Sequence, residues 1–206
     1  MIAIADYGMG NRRSVEKAFE HVGAQAVITR DHEALRRADG IVVPGVGAFP
    51  EGMRRLTALG LDELVRERAA AGVPLLGICL GMQLLFEASE EHRGARGLGL
   101  LPGEVTYLDT RGERLPHIGW NLVTMVRPSP LTAGLGDAAA FYHVHSLACR
   151  PAEEADVIGT ATYGETFASV VARGSVMGAQ FHPEKSSRDG LALLHNFTGI
   201  CARVPA

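Results

Sequence analysis

The stretch that decides the fold is Val73-Pro74-Leu75-Leu76-Gly77-Ile78-Cys79-Leu80-Gly81, an apolar run that ends at a cysteine flanked by glycines two positions away on either side. The residues beyond it, Met82-Gln83-Leu84-Leu85-Phe86-Glu87, predict a helix. A buried strand that enters a helix through so tight a turn is the cysteine counterpart of the Gly-x-Ser-x-Gly nucleophile elbow. The pattern therefore predicts a strand, a sharp turn that carries Cys79, and a helix.

The position of Cys79 favours a reactive thiol. The backbone of an elbow is cramped, so the neighbours across the turn must lack bulk, and both are glycines. The side chain is expected to project above the sheet edge, beside the positive end of the following helix, where the thiolate is favoured. The alternative is a buried cysteine that acts as a small hydrophobe. The paired glycines and the change from strand to helix favour the nucleophile.

The bulk composition excludes several classes of protein. A chain of 206 residues with 47% hydrophobic residues predicts a single domain, residues 1–206, with a sizeable core. The net charge of −3 gives no basic bias, so nucleic acid is not an expected partner. Its three cysteines, Cys79, Cys149 and Cys201, are widely spaced and form no CxxC pair, which argues against a disulfide framework or a structural zinc site.

The sequence also indicates a cellular location. The first residues lack the basic segment of a signal peptide. No apolar run approaches the ~18 residues that a membrane-spanning helix needs. We therefore expect a cytoplasmic protein without a membrane span.

The order of the elements predicts the fold class. Short apolar runs at 2–5, 26–28, 40–43 and 75–79 alternate with helical patterns over about the first 90 residues, as in a doubly wound parallel sheet. Later segments are short, β-rich and separated by Gly and Pro, and a helical pattern from Leu191 to Ile200 closes the chain. The prediction is an α/β fold: an open, mostly parallel, doubly wound sheet with flanking helices plus additional antiparallel strands in the C-terminal half.

In an open parallel sheet, sites form at the carboxyl ends of the strands. The loop Pro44-Gly45-Val46-Gly47 lies at such an end, and its glycines permit positive φ and close backbone approach. It could offer a backbone N–H to a developing oxyanion, with the N–H of Leu80 as the second donor. An ordinary glycine turn is the alternative, which the tetrapeptide alone favours.

A cysteine nucleophile needs a base, and the base needs an orienting partner. Gln180-Phe181-His182-Pro183-Glu184 follows an apolar strand, and Pro183 disfavours helix at His182. Residues two apart on an extended chain share a side, so His182 and Glu184 are set to converge and Phe181 to face the core. The alternative is a surface His–Glu pair at a strand end.

A second histidine pair, His143 and His145, also shares one face of a predicted strand. Two imidazoles so placed could bind a metal ion. No third ligand of convincing spacing accompanies them, so we predict no metal site.

These stretches resemble the class I (triad) glutamine amidotransferases, whose two signatures match the elbow through Gln83 and the later Phe181-His182-Pro183-Glu184. Within the family, further stretches resemble the glutaminase subunits that serve a cyclase in histidine biosynthesis. They follow the expected order along nearly the whole chain: Asp6-Tyr7-Gly8-Met9-Gly10-Asn11 with Ser14-Val15, Pro44-Gly45-Val46-Gly47-Ala48-Phe49, Pro116-His117-Ile118-Gly119-Trp120-Asn121, Tyr163-Gly164-Glu165-Thr166-Phe167 and His182-Pro183-Glu184-Lys185-Ser186.

The resemblance implies a glutaminase that uses no cofactor. Cys79 would attack the side-chain carboxamide of glutamine and form a thioester, His182 would transfer the protons, and Glu184 would orient His182. The oxyanion hole would be the backbone of Val46 and Gly47 together with Leu80. The residues that would contact the substrate glutamine are Gln83 and Ser146.

The resemblance also implies a partner, a (β/α)8-barrel cyclase that receives ammonia through an internal channel in a heterodimer. The positions that match this interface are Asn11, Trp120, Asn121 and Lys185. For Trp120 the alternative is an ordinary core tryptophan. The chain departs from the family pattern in Tyr142-His143-Val144-His145-Ser146-Leu147, which carries His143 and Leu147 where aromatic residues are more usual in the family.

Two other functions are compatible with parts of this sequence. One is the glutaminase component of a different amidotransferase, such as those that make anthranilate or pyridoxal phosphate; the stretches around Asp6 and Trp120 argue against it. The other is a catalytically silent binding subunit that keeps the fold. The complete set of Cys79, His182 and Glu184 argues against that second alternative.

Overall fold

The computed structural model describes residues 1–203, with every side chain in that range except the one at position 93, so the last three residues of the predicted domain lie outside it. The strands are β1 Ile2–Ala5, β2 Ala26–Thr29, β3 Gly40–Gly45, β4 Leu75–Cys79, β5 Phe86–Ser89, β6 Ala95–Arg96, β7 Leu101–Tyr107, β8 His117–Met125, β9 Ala138–His145, β10 Leu147–Pro151, β11 Val157–Tyr163, β12 Glu165–Arg173 and β13 Val176–Ala179. The α-helices are α1 Arg12–His21, α2 His32–Arg36, α3 Phe49–Ala58, α4 Leu61–Ala70, α5 Leu80–Leu84 and α6 Ser187–Cys201.

One half of the sheet is parallel. Its strands lie in the order β2-β1-β3-β4-β13, and each pairs in parallel with its neighbour. Strands β1, β3, β4 and β13 are buried at every position, because helices cover both faces of a parallel sheet. Their continuous apolar runs are the sequence signature of such burial, and the predicted alternation of strands and helices is confirmed.

The other half of the sheet is mainly antiparallel. Strand β13 forms a hairpin with β12, in which Arg173 pairs with Val176. Beyond β12 the sheet continues through β10, β7, β5 and β6, while β11, β8 and β9 branch from β12 as a second antiparallel run. The predicted fold class, an α/β sheet extended by antiparallel strands in the C-terminal half, is confirmed.

Two apolar cores lie on opposite faces of the parallel half. On one face, α1 and α6 pack together, with the rings of Phe19 and Phe197 6.2 Å apart. On the other face, α2, α3 and α4 bury side chains such as Leu35, Leu56 and Leu64. Helices therefore cover both faces of the parallel half of the sheet.

The helix after the elbow is shorter than the sequence predicts. It ends at Leu84, and Phe86–Ser89 forms β5 instead of a further helical turn. Phe86 pairs with Leu101 of β7, and the carbonyl of Leu85 accepts the N–H groups of Leu100 and Leu101. Pairing with a strand distant in sequence outweighs the local helical pattern here, because that pairing satisfies the same backbone groups and buries Phe86.

Among the residues that the structure describes, no helix has both the length and the apolar character required to cross a membrane.

Candidate active site

Cys79 lies at the end of β4 in a conformation that side chains rarely adopt. Its φ is 53° and its ψ is −111°, and α5 begins at the next residue. A Cβ atom at Gly77 would lie 2.6 Å from the carbonyl oxygen of Gly81, and one at Gly81 would overlap the carbonyl oxygen of Val43. Both glycines are therefore required by close backbone packing, and the predicted elbow is present. Strain of this kind is typical of functional sites.

His182 and Glu184 approach the elbow from the adjacent strand. β13 pairs in parallel with β4, with Ala179 opposite Ile78, so the residues after each strand emerge at the same sheet edge. His182 Nδ1 lies 2.9 Å from Glu184 Oε1, and the two side chains are 5% and 1% exposed. This burial excludes the surface His–Glu pair. Within residues 1–203 the second carboxylate oxygen of Glu184 has no hydrogen-bond partner. His182 is therefore the side chain to which this carboxylate is hydrogen-bonded.

The surroundings of His182 favour its protonated form. Burial lowers the pKa of His182, but the adjacent Cys79 side chain and the hydrogen bond to the Glu184 carboxylate raise it, and the net pKa is raised above the ordinary value. An imidazole in this setting is suited to hold a proton beside a thiolate.

A pocket of about 360 Å³ opens above the elbow. It brings together most of the predicted chemical groups: Val46, Gly47, Cys79, Leu80, Gln83, Ser146 and His182. Glu184 lies behind His182 and does not line it. Lys185, predicted at the partner interface, is exposed and also lines the pocket. The pocket and the predicted interface therefore meet at Lys185.

The other predicted interface residues lie outside the pocket. Trp120 is 56% exposed on β8, which excludes the core tryptophan that its sequence context also allowed. Asn11 is exposed immediately before α1. Asn121 donates a hydrogen bond of 2.9 Å to the carbonyl of Thr162 and is partly buried.

The loop at Val46 and Gly47 is held at both ends by side chains that the sequence did not single out. Tyr7 Oη donates a hydrogen bond of 2.6 Å to the carbonyl of Pro44, and burial followed by the nearby Cys79 raises the pKa of Tyr7, so the hydroxyl stays a donor. On the far side, Glu91 Oε2 accepts the N–H of Phe49 at 2.6 Å. Gly47 itself has φ +100°, a conformation available chiefly to glycine.

Glu91 and Gln180 are the further polar residues that the sequence reasoning missed. Glu91 lines the pocket. Gln180 is fully buried between Cys79 and Gln83, with which it forms hydrogen bonds. The proximity of Gln180 to His182 in sequence was a usable signal, whereas Glu91 lies in a polar turn that resembles any solvated loop.

Three buried histidines, His117, His143 and His145, pack beside the pocket on β8 and β9. His145 Nδ1 donates to the carbonyl of Leu147 at 2.8 Å, so its Nε2 accepts from His117 Nδ1 at 3.0 Å. His143 donates from Nδ1 to the carbonyl of Phe141 and accepts from Ser169 Oγ at 2.9 Å.

These contacts hold the three rings neutral. Burial, followed by the neighbouring histidines, lowers the pKa of His143 to about 3. Burial lowers the pKa of His145 to about 4 and also lowers that of His117. Across residues 1–203 no group of three or more His, Cys, Asp or Glu side chains has a geometry suited to a metal ion, and this cluster is no exception.

The family model for class I glutamine amidotransferases matches residues 3–200. The imidazole glycerol phosphate synthase subunit HisH of Bacillus cereus (strain G9842) is 50% identical over 200 residues, which cover 97% of this chain and 95% of that protein. The HisH subunit of Moorella thermoacetica is 51% identical over 196 residues, covering 95% of this chain and 93% of that protein.

Solved structures have the same fold at low identity. A crystal structure of a glutamine amidotransferase superposes with a TM-score of 0.77 at 22% identity, covering 98% of this chain and 99% of the other. The structure of PurLQS from Thermotoga maritima gives a TM-score of 0.75 at 18% identity and covers 97% of each chain.

Proposed function

The chain belongs to the class I glutamine amidotransferase family, and from that premise we propose that it is the glutaminase subunit of an imidazole glycerol phosphate synthase. In this role it hydrolyses L-glutamine to glutamate and ammonia in the cytoplasm. The ammonia passes to a cyclase subunit that makes imidazole glycerol phosphate and AICAR in histidine biosynthesis. The observation that carries the proposal is the convergence of Cys79 and His182 on one pocket, in a chain 50% identical to a HisH subunit.

The chemistry follows from the roles of three side chains. The Cys79 thiolate adds to the side-chain carboxamide carbon of glutamine, and protonated His182 gives its proton to the departing ammonia, which leaves a γ-glutamyl thioester. His182 then takes a proton from water as the water attacks the thioester carbon. The C–S bond breaks, its electron pair returns to the sulfur, and glutamate leaves. Glu184 stabilises the charged form of His182 through the 2.9 Å hydrogen bond.

The oxyanion that forms in each step needs donors above the elbow. The N–H of Leu80 is the first of α5, and the first N–H groups of a helix have no partner within the helix. Val46 and Gly47 line the same pocket, and we assign the second donor to their backbone. Loss of one such donor typically lowers the rate by ~10²–10³.

The pocket also suits the rest of the substrate. Glutamine carries an ammonium group, and Glu91 is the carboxylate on the pocket wall, 13% exposed in its side chain. Gln83 and Ser146 line the same pocket and offer amide and hydroxyl groups to the polar substrate. A pocket of about 360 Å³ is of the size found for small-molecule sites.

The cyclase partner is proposed to dock where apolar side chains are exposed beside the pocket. Alternate residues of β8 form an outward stripe, with Ile118, Trp120 and Leu122 each more than half exposed at 58%, 56% and 57%. Such exposed apolar rows with a large aromatic anchor are typical of protein interfaces. The proposed interface adds Asn11, Asn121 and Lys185, and the partner is a (β/α)8 barrel in a heterodimer.

The proposed chemistry is tested by comparing two cysteine variants in the presence of the cyclase. Cys79→Ala is expected to lower glutamine hydrolysis by at least about 10⁴-fold, because it removes the nucleophile. Cys149→Ala is the matched control, since Cys149 is buried in β10 and does not line the pocket. Hydrolysis is measured as glutamate formed per enzyme. An equal loss of glutamine hydrolysis in both variants, or hydrolysis retained by Cys79→Ala, would contradict the assignment of Cys79 as the nucleophile.

A further inference from the structure

Gln180 is a polar side chain sealed in the interior beside the nucleophile. It follows β13 directly and is 0% exposed. Its backbone N–H is bound to the carbonyl of Ser169 at 2.9 Å, so the residue is fixed in the sheet irrespective of its side chain. A buried amide is costly unless its groups are hydrogen-bonded, and the partners of this one belong to the site.

The hydrogen bonds around Gln180 determine which way its amide faces. Gln83 Nε2 donates to the carbonyl of Leu147 at 3.4 Å and to Gln180 Oε1 at 3.2 Å. Because Oε1 of Gln180 accepts from Gln83, its Nε2 points the other way and lies 3.9 Å from Cys79 Sγ. The sulfur therefore faces an N–H donor that cannot accept a proton.

Besides His182 and Gln180, the sulfur has a contact that distinguishes the thiol from the thiolate. Cys79 Sγ lies 3.7 Å from the carbonyl oxygen of Val144, which accepts only from a thiol. The Gln180 N–H suits the thiolate, since hydrogen bonds with a charged partner are the stronger ones. Ionisation of Cys79 thus weakens the contact with Val144 and strengthens the one with Gln180.

We propose that Gln180 is a catalytic residue that stabilises the Cys79 thiolate through its side-chain N–H and holds Gln83 through its side-chain carbonyl. The inference rests on the proposed function, in which Cys79 is the nucleophile. The same N–H acts a second time when the thioester is hydrolysed, because the electron pair of the breaking C–S bond returns to Sγ. The Gln180 amide thereby stabilises the Cys79 thiolate twice: before it attacks glutamine, and when it leaves the thioester.

The test measures alkylation of Cys79 by iodoacetamide against pH, followed by peptide mass mapping because Cys149 and Cys201 are also thiols. Gln180→Met removes the donor and keeps a side chain of similar length. We expect the midpoint of the alkylation profile to move upward by about one pH unit, so that alkylation is about tenfold slower at pH values well below the wild-type midpoint. Gln180→Glu, which keeps an acceptor for Gln83 but places a carboxylate beside the sulfur, should move the midpoint further the same way.

Ser169→Ala is the matched control, because it removes a buried hydroxyl next to Gln180 while leaving the backbone bond and the sulfur contacts in place. A purely structural role would lower the melting temperature and leave the midpoint unmoved. An unchanged midpoint in folded Gln180→Met, or in Gln180→Glu where the first variant does not fold, overturns the proposal. Alkylation does not require turnover. An unchanged midpoint therefore contradicts the role of Gln180 alone, whereas failure of the proposed function would be seen as glutamine hydrolysis retained by Cys79→Ala.

Discussion

At the scale of single residues, the elbow depends on the absence of side chains as much as on Cys79. Gly81 packs against the carbonyl of Val43 and Gly77 against the backbone of Gly81, while Cys79 holds φ at 53°. Val43 and Gly77 cannot move away from Gly81, because they lie in β3 and β4, which are paired with each other and buried. Only glycine tolerates so close an approach of neighbouring backbone. The glycines on either side of Cys79 therefore allow the elbow to be predicted from sequence more directly than any other part of the site.

We therefore expect Gly81→Ala to destabilise the protein by at least about 3 kcal/mol, since the new methyl group overlaps the Val43 carbonyl. Gly199→Ala is the matched control, because nothing lies within 4 Å of its would-be Cβ and it sits inside α6. The control should gain about 0.5–1 kcal/mol from its better helix propensity. Urea unfolding measures both, and a Gly81→Ala variant as stable as the wild type would contradict the packing argument.

At the scale of elements, strands β8 and β9 bring together residues that no local pattern connects. The sequence places His143 and His145 on one face of a strand, and this is confirmed by their burial, but His117 joins them only through the pairing of His117 with His145 across the two strands. Cross-strand register depends on distant pairing, so the cluster was not predictable. The same limit applies to the short α5, whose end is set by pairing with β7.

The neutral histidine cluster predicts acid sensitivity. The pKa of His143 is lowered to about 3 in the folded state against 6.5 for a free side chain, so protonation favours unfolding and stability is lost as the pH falls below about 6.5. Each such histidine lowers the free energy of unfolding by up to about 1.4 kcal/mol for each pH unit of acidification in this range. The raised pKa of His182 changes the free energy of unfolding only above about pH 6.5, because below that pH His182 is protonated in both the folded and the unfolded protein.

The double variant His143→Phe with Ser169→Ala removes both partners of the buried hydrogen bond and keeps an aromatic ring at position 143. We expect its free energy of unfolding to fall less steeply than that of the wild type between about pH 6.5 and about pH 5. His21→Gln, at an exposed position, should keep the wild-type slope. An unaltered slope in the double variant would show that His143 is not neutral in the folded protein.

At the scale of the whole molecule, the parallel half of the sheet places Cys79 and His182, and the antiparallel half carries the exposed stripe on β8. Cys79 and His182 follow neighbouring parallel strands, which is why sites at the carboxyl ends of strands could be anticipated from the order of elements. The resemblance implied an interface position for Trp120, but the exposure of Ile118 and Leu122 beside it could not be anticipated, because apolar residues at alternate positions equally predict the buried face of a strand. Lys185 is exposed and lines the pocket.

The most direct test of this assignment is ammonia release from glutamine, measured for the isolated chain and for the chain mixed with the cyclase barrel and its nucleotide ligand. The glutaminase-subunit proposal predicts strong stimulation in the complex, at least about tenfold, because binding at the β8 stripe and Lys185 acts next to the pocket. High activity that the barrel leaves unchanged would contradict the proposed partner. No activity in a folded, demonstrated complex would contradict the proposed glutaminase.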